Sequence, residues 1–230
     1  MTLSYDDGGI PMLETLFDPE NPLMRFLNKV IDLFSISIVW TISCIPIITI
    51  GPACAALYYA VVKSVRRDRG HIVKEFFCAF KSNFKGGAIG GLIWVAFALM
   101  MGVTDVPLFL TFLNTGAIQD IGMLVLFSVK ASVLMGMACW LFPVISRFEQ
   151  SLLKSAQVSL VVMIQNIPRT IISIILVSTL ALLIIAEPLL LAVLPSMIVL
   201  ILSFLIEPVL KKICQTAKAD PNDSDLWYLE

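Results

Sequence analysis

The chain of 230 residues is 58% hydrophobic, with a mean hydropathy of +0.92 and a formal net charge of −1. This composition excludes an ordinary water-soluble domain and is typical of a protein embedded in a bilayer. The near-zero charge argues against a nucleic-acid partner, and none is expected.

The main structural signal is a series of long runs without charged residues. Crossing about 30 Å of hydrocarbon takes roughly 20 helical residues, and fewer where the bilayer thins. The first run, over 33–62, is long enough for two helices, and Pro46 and the pair Gly51-Pro52 in its middle predict a tight turn between them. The other runs cover 86–104, 106–119, 131–146, 170–186 and 188–206.

These runs predict an all-α, polytopic helical membrane protein. A single membrane domain over 30–210 follows an acidic, amphipathic N-terminal segment over 1–29 and precedes a polar cytoplasmic tail over 211–230. A five-span alternative lays 52–66 in the membrane interface and places the N-terminus outside. The six predicted spans lie at about 30–48, 52–66, 86–112, 121–145, 169–186 and 188–206.

The basic residues set the orientation, because Lys and Arg near span ends stay in the cytoplasm. With six spans, 15 of the 16 Lys and Arg residues fall on one side, and the five-span alternative strands Arg25 and Lys29 on the wrong face. Both termini of this multi-pass protein are therefore predicted to be cytoplasmic. The same cationic face is expected to contact anionic lipids of the inner leaflet.

Two segments between spans have the pattern of amphipathic helices on the cytoplasmic side. In the first, over 72–84, apolar residues recur every four positions, and the second covers 148–167. We expect the phenylalanines of the first to pack against lipid tails or the helix bundle. Its notable residues are Phe76, Phe80, Lys81, Asn83, Phe84 and Lys85.

Both segments end in a similar polar joint, NFK at 83–85 and NIP at 166–168, before the chain re-enters the bilayer. The order of inward span, surface helix and outward span thus occurs twice with the same orientation. This suggests a parallel internal repeat. Because residue identity between the halves is slight, a shared topology without shared ancestry stays open.

Lys130 is the sharpest functional clue, because a lysine at the centre of a membrane helix costs ~2.5–3.5 kcal/mol on insertion scales. The third and fourth spans form a hairpin that is expected to turn near 114–117, which places Asp105 at the same depth as Lys130. The two predict an intramembrane ion pair, serving either to fix helix register or as a substrate or proton site. Glu187, at the joint of the last two spans, is a possible outer-side carboxylate.

Gly86, Gly87, Gly90 and Gly91 form two overlapping GxxxG spacings at the start of the third span. Such faces let a second helix approach closely, either within this chain or from another subunit, including a homo-oligomer. Together with Gly51 and Pro52 they are the predicted packing and turn residues.

Five cysteines are scattered without a CxxC motif or a Cys-His cluster, so no metal site and no disulfide framework are expected. Cys44 and Cys54 flank the predicted outer turn and could approach each other. Phosphate-binding loops, nucleophile elbows and metalloprotease motifs are absent from the sequence, and no cofactor and no catalytic residue is predicted. A lipid-modifying enzyme stays as a minor alternative, because its polar groups need not form a linear motif.

Several segments resemble the YesL-like family of bacterial integral membrane proteins, a domain family of unknown function. The resemblance spans roughly 20–210 and is more specific in the first half. The segments that carry it are NPLMRF at 21–26, IPIITIGPA at 45–53, AALYY at 55–59, FFCAFKSNFK at 76–85, FP at 142–143, SRF at 146–148 and NIPRT at 166–170.

The resemblance implies a location in a bacterial plasma membrane. It also implies a role beside carbohydrate uptake, since members are often encoded next to carbohydrate ABC transporters. Our first functional hypothesis is therefore a non-catalytic membrane accessory protein that assembles with transporter subunits. A second is a small secondary transporter or channel that uses Asp105 and Lys130. A third is a lipid-binding membrane protein whose basic inner face holds headgroups.

Overall fold

The computed structural model describes residues 22–115, 121–148 and 151–216, and all regular structure within them is helical. The predicted all-α class is confirmed. The eight α-helices are α1 (Pro22–Ser43), α2 (Ile50–Ala60), α3 (Ile72–Ser82), α4 (Phe84–Thr115), α5 (Ile121–Arg147), α6 (Leu152–Gln165), α7 (Ile167–Ala186) and α8 (Leu194–Thr216). The predicted N-terminal segment up to residue 21, the hairpin turn at 116–117 and the tail from 217 lie outside the described residues.

Five helical segments of the described chain are long and apolar enough to cross a membrane by length and composition, so the chain is a polytopic membrane protein. They include the second predicted span, which the five-span alternative had removed. The last helix, α8, is not one of the five; it contains Pro208 and continues past the predicted end at 206. The five are Pro22–Ser43, Ile47–Arg66, Phe84–Pro107, Val125–Arg147 and Ile167–Ala186.

The turn between α1 and α2 contains Pro46, as predicted, but it lies before Gly51-Pro52, so the prediction was wrong for that pair. The chain turns after Ser43 and passes through a short 3-10 helix, Ile47–Thr49, before α2 begins at Ile50. The hydroxyl of Thr49 donates to the carbonyls of Ser43 and Pro46, both at 2.6 Å, and closes the turn. Gly51 and Pro52 form the first turn of α2, where proline is tolerated because its missing N–H would be unpaired there anyway.

Helix α3 is amphipathic, as its pattern predicted, and it packs back along α2. Ile72, Phe76 and Ala79 are buried in the core that α1, α2 and α3 share. Phe80 is half-buried; its ring stacks on that of Phe76, with centroids 6.0 Å apart, and meets the ring of Phe84 edge-on at 5.7 Å. Phe76 therefore packs into the bundle, whereas Phe77 and Phe84 are 54% and 39% exposed. The charged side of α3 is exposed at Lys74 and Lys81, and Lys85 is exposed at the start of α4.

The predicted repetition of structure is present in two successive units, α2–α3–α4 and α5–α6–α7. In each unit the second helix packs back along the first and makes few contacts with the third. The two joints are alike: the side-chain amide of Asn83 donates to the carbonyl of Ala79 at 3.1 Å, and that of Asn166 donates to the carbonyl of Val162 at 3.1 Å. Common ancestry of the two units stays a prediction.

Helices α1 and α8 flank these units and are joined to each other through small polar side chains. The hydroxyl of Ser196 donates to the carbonyl of Leu33 at 2.8 Å, and the hydroxyl of Ser37 accepts from the N–H of Ser196 at 3.2 Å. Both serines are fully buried. Small residues of this kind bring membrane helices close and satisfy each other's polar groups.

Candidate functional site

The most deeply buried charges lie where α2, α5 and α8 meet. Arg147, at the end of α5, forms an ion pair with Glu207 of α8 at 2.5 Å, and their side chains are 3% and 5% exposed. The hydroxyl of Tyr58 on α2 donates to the same Glu207 oxygen at 2.9 Å. We call these three residues the inner charge cluster.

The cluster satisfies a demanding physical condition. A charge in an apolar interior is tolerated only when it is paired and hydrogen-bonded, and here one carboxylate receives both a guanidinium and a phenol. A second contact lies one helical turn before Glu207 on α8. Arg66, which follows α2, donates to the carbonyl of Ser203 at 2.7 Å, and its guanidinium lies 4.7 Å from the ring centroid of Phe204. Polar contacts thus fix the position of α8 against α2 and α5.

The sequence interpretation missed this cluster. Arg147 was counted as a loop cation that sets topology, and Glu207 follows directly after the uncharged run ending at 206. One signal in the sequence indicated a buried carboxylate. Glu207 is followed by Pro208-Val209-Leu210 and preceded by an uncharged run, so it lies inside an apolar stretch. A carboxylate in such a stretch normally requires a cationic partner from another helix.

The structure also contains the ion pair expected from hairpin geometry. Lys130 Nζ of α5 lies 2.7 Å from Asp105 Oδ1 of α4, and the two side chains are 41% and 11% exposed. On the following turns Phe109 stacks on Phe127 with ring centroids 5.9 Å apart. The functional role of the pair stays a prediction.

The depth of the pair in a bilayer stays a prediction, and the length of α4 bears on it. Asp105 lies 21 residues after Phe84, where α4 begins, which corresponds to ~32 Å along the helix. Since hydrocarbon is ~30 Å thick, we expect the pair nearer the outer boundary than the centre, within reach of interfacial water. Helix α4 has 32 residues and is longer than a minimal span, a length that the uncharged runs did not show.

Glu187 ends α7 and is exposed. Its carbonyl accepts the N–H of Leu190 at 3.0 Å and begins the 3-10 helix Pro188–Ala192. Among the described residues, the ion pair of Lys130 is with Asp105 and does not include Glu187. The structure therefore leaves Glu187 at a helix joint and does not join it to a site with Lys130.

The glycines of α4 pack mainly within the chain. A Cβ added at Gly87 would lie 2.8 Å from Pro52 Cα, and one at Gly91 would lie 2.6 Å from Gly51 Cα, so this face receives α2. A Cβ at Gly90 would meet Leu152 of α6 at 2.9 Å, whereas one at Gly86 would meet nothing within 4 Å. Intramolecular packing therefore uses three of the four.

A cavity of about 370 Å³ lies between α1, α2, α4, α5, α7 and α8. Its walls are apolar and include Trp40, Cys54, Trp94, Ala138 and Ile198, and no charged residue lines it. The indole of Trp94 donates to the carbonyl of Leu134 at 3.1 Å. Tyr58 and Ile206, beside Glu207, form the end of the cavity that faces the inner charge cluster.

The described cysteines are all free thiols, so Cys44 and Cys54 do not form a disulfide. No group of three or more His, Cys, Asp and Glu residues that could hold a metal ion occurs in the described part of the chain.

Residues 33–105 match the model of a family described as "Protein of unknown function, DUF624". The matched segment is less than half of the chain and runs from within α1 to Asp105. It contains Gly51, Tyr58, Gly87 and Gly91, and it ends before Lys130, Arg147 and Glu207. No curated protein and no solved structure matches the chain.

Proposed function

We propose that the protein is a non-catalytic accessory component of the membrane, which acts by binding other molecules. The observation that carries this proposal is the closure of the inner charge cluster: Arg147 and Glu207 are 3% and 5% exposed and are paired with each other. Groups held in this way stabilise a fixed bundle, because opening the pair would leave a charge unpaired in an apolar interior.

The partner we propose is a subunit of a carbohydrate ABC transporter. Support comes from the resemblance of the sequence to the YesL-like family, whose members are often encoded beside such transporters. A suitable contact surface is the outer face of α3, where Phe77 is 54% exposed between the exposed basic residues Lys74 and Lys81. An exposed aromatic residue with a basic rim is typical of interaction sites.

Photocrosslinking in native membranes tests this proposal. A photoreactive amino acid replaces Phe77 in the full chain, and the matched control carries it at Phe97, which is 53% exposed on α4. We expect a discrete adduct containing a transporter subunit at position 77 and only lipid adducts at position 97. Recovery of no protein adduct at position 77, from cells induced for carbohydrate uptake, would contradict the accessory role.

A second candidate, a small transporter or channel, is favoured by one observation at the outer pair. Asp105 Oδ2 is buried and accepts no hydrogen bond from the described residues, so one carboxylate oxygen could receive a proton or a solute. Reconstituted protein should then move protons or a small solute across liposomes, and Lys130→Met should abolish that flux. Absence of flux from correctly folded protein would remove this candidate.

A further inference from the structure

The geometry of the helices indicates that the α1–α2 turn does not reach the outer membrane surface. Gly51 packs on Gly87 and Gly91 of α4, and Gly91 is only seven residues, ~10 Å, beyond Phe84. Lys81 and Lys85 are exposed around the start of α4 and mark the cytoplasmic interface there. Lys29 of α1 pairs with Asp68 of the predicted cytoplasmic loop at 2.9 Å, and α1 continues only 14 residues beyond Lys29, or ~21 Å, to its end at Ser43.

The turn therefore reaches ~20 Å above the inner interface, whereas the hydrocarbon layer is ~30 Å thick. Helix α4 continues for 24 residues beyond Gly91, or ~36 Å, to Thr115. The α1–α2 hairpin is thus staggered toward the cytoplasm relative to the α4–α5 hairpin. Its turn lies inside the bilayer.

The composition of the turn fits this position. Ile45, Ile47 and Ile48 are 76%, 57% and 52% exposed, and no charged residue occurs from Ser43 to Gly51. Beside α1, the 3-10 helix that precedes α8 presents Leu189 at 86% exposure. Large exposed aliphatic side chains such as these are unfavourable in water and favourable in hydrocarbon.

The apolar cavity extends to these two turns. Trp40 and Ile50 flank the first turn, and Pro195 follows the second, and all three line the cavity. Its mouth therefore faces lipid, and at this depth the molecules available to enter it are the tail ends of outer-leaflet lipids. A volume of about 370 Å³ lies in the range of small-ligand sites, and an apolar cavity of this kind does not retain water.

We propose that this cavity binds the hydrocarbon chain of a membrane lipid, acyl or isoprenyl, inserted tail first from the outer leaflet. The chain passes between Trp40 and Pro195 and ends against Tyr58 and Ile206, where the inner charge cluster closes the bundle. Recognition is by the chain and not by the headgroup, because no charged residue lines the site. This inference does not depend on the accessory role.

Tryptophan quenching by brominated lipids tests the proposal, because Trp40 and Trp94 line the cavity. The full chain is reconstituted in phosphatidylcholine that carries bromine either near the end of one acyl chain or near its ester. Ala138→Phe fills the cavity, and Ala96→Phe, at an exposed lipid-facing position of α4, is the matched control. Ile198→Phe is a second filling variant in case Ala138→Phe fails to fold.

In the unmodified protein, we expect bromine near the chain end to quench tryptophan fluorescence more strongly than bromine near the ester. This difference in quenching should largely disappear in the two filling variants and should remain in Ala96→Phe. Native mass spectrometry should show one retained lipid per chain that the filling variants lack, and its mass separates phospholipid from isoprenoid. Equal quenching in filled and unfilled cavities, or retention of lipid by both filling variants, would overturn the proposal.

Discussion

Gly51 and Gly136 occupy equivalent places in the two structural units. A Cβ on Gly51 would meet α4 at Gly87 and Gly91, and a Cβ on Gly136 would meet α7 at Thr170 and Ile174, so each glycine faces a pair of residues four positions apart. The N–H groups of Gly87 and Thr170 donate to the carbonyls of Asn83 and Asn166, at 2.8 and 3.0 Å. The joint and the close helix contact therefore repeat as one feature.

Gly51→Ala should destabilise the fold, because the added Cβ would lie 2.0 Å from the carbonyl oxygen of Gly87, a backbone atom that cannot move aside. We expect a loss of at least ~1–3 kcal/mol from overpacking, seen as a lower midpoint of thermal unfolding in detergent. Gly86→Ala is the control, since a Cβ there meets nothing within 4 Å. Equal midpoints for the two variants would contradict the close contact.

The equivalence of the joints predicts matched effects at the two asparagines. Asn83→Ala and Asn166→Ala each remove a side-chain hydrogen bond to the carbonyl four residues earlier, at 3.1 Å in both cases. Each should cost about 1 kcal/mol of stability. Thermal unfolding of both single variants checks this, and a large loss at one site with none at the other would show that the joints are not equivalent.

Breaking the inner charge cluster should be the most damaging single change. Glu207→Gln leaves Arg147 charged and nearly fully buried, which costs ~3–5 kcal/mol in comparable buried pairs. Replacing both residues by methionine removes both charges and should recover most of that loss. A double-mutant cycle measured by chemical unfolding tests this, and additive losses would mean that the two charges do not depend on each other.

The outer pair should contribute less to stability. Lys130→Met leaves Asp105 without its cation, but the pair lies near the outer boundary and the lysine side chain is 41% exposed, so water compensates part of the loss. We expect a smaller shift of the unfolding midpoint than for Glu207→Gln. The double variant that combines Lys130→Met with Asp105→Asn should recover most of the lost stability. A shift as large as that of Glu207→Gln would place the pair deep in the bilayer.

Cysteine reactivity should distinguish Cys44 from Cys78. Cys44 is half-buried in the α1–α2 turn, whereas Cys78 is exposed on α3, so Cys78 should be alkylated first. Mass spectrometry of iodoacetamide-treated protein in detergent measures both rates, and faster labelling of Cys44 would contradict its partial burial.

Sequence patterns predicted those features that depend on local composition. Uncharged runs located the apolar helices, hairpin geometry paired Asp105 with Lys130, and the period of apolar residues located α3. Features that depend on tertiary contact were missed. Gly51-Pro52 has the composition of a turn but lies in a helix, because the glycine is needed for contact with α4.

The inner charge cluster was missed for a related reason. Its partners come from α2, α5 and α8, so their convergence is a property of the fold and not of any local pattern. The stagger of the α1–α2 hairpin was also invisible, because run lengths give the length of a helix but not its depth relative to its neighbours. Contacts between helices, such as that of Gly51 with Gly91, fix that depth.

Cysteine labelling in intact cells tests the staggered arrangement most directly. Single cysteines replace Ile45 at the α1–α2 turn, Asn114 near the end of α4 and Lys74 on α3, in a chain whose five native cysteines are serine. With a membrane-impermeant maleimide, we predict labelling of position 114 from outside, of position 74 only after permeabilisation, and of position 45 only after detergent solubilisation. Labelling of position 45 in intact cells, at a rate similar to position 114, would place the turn at the outer surface and contradict the account.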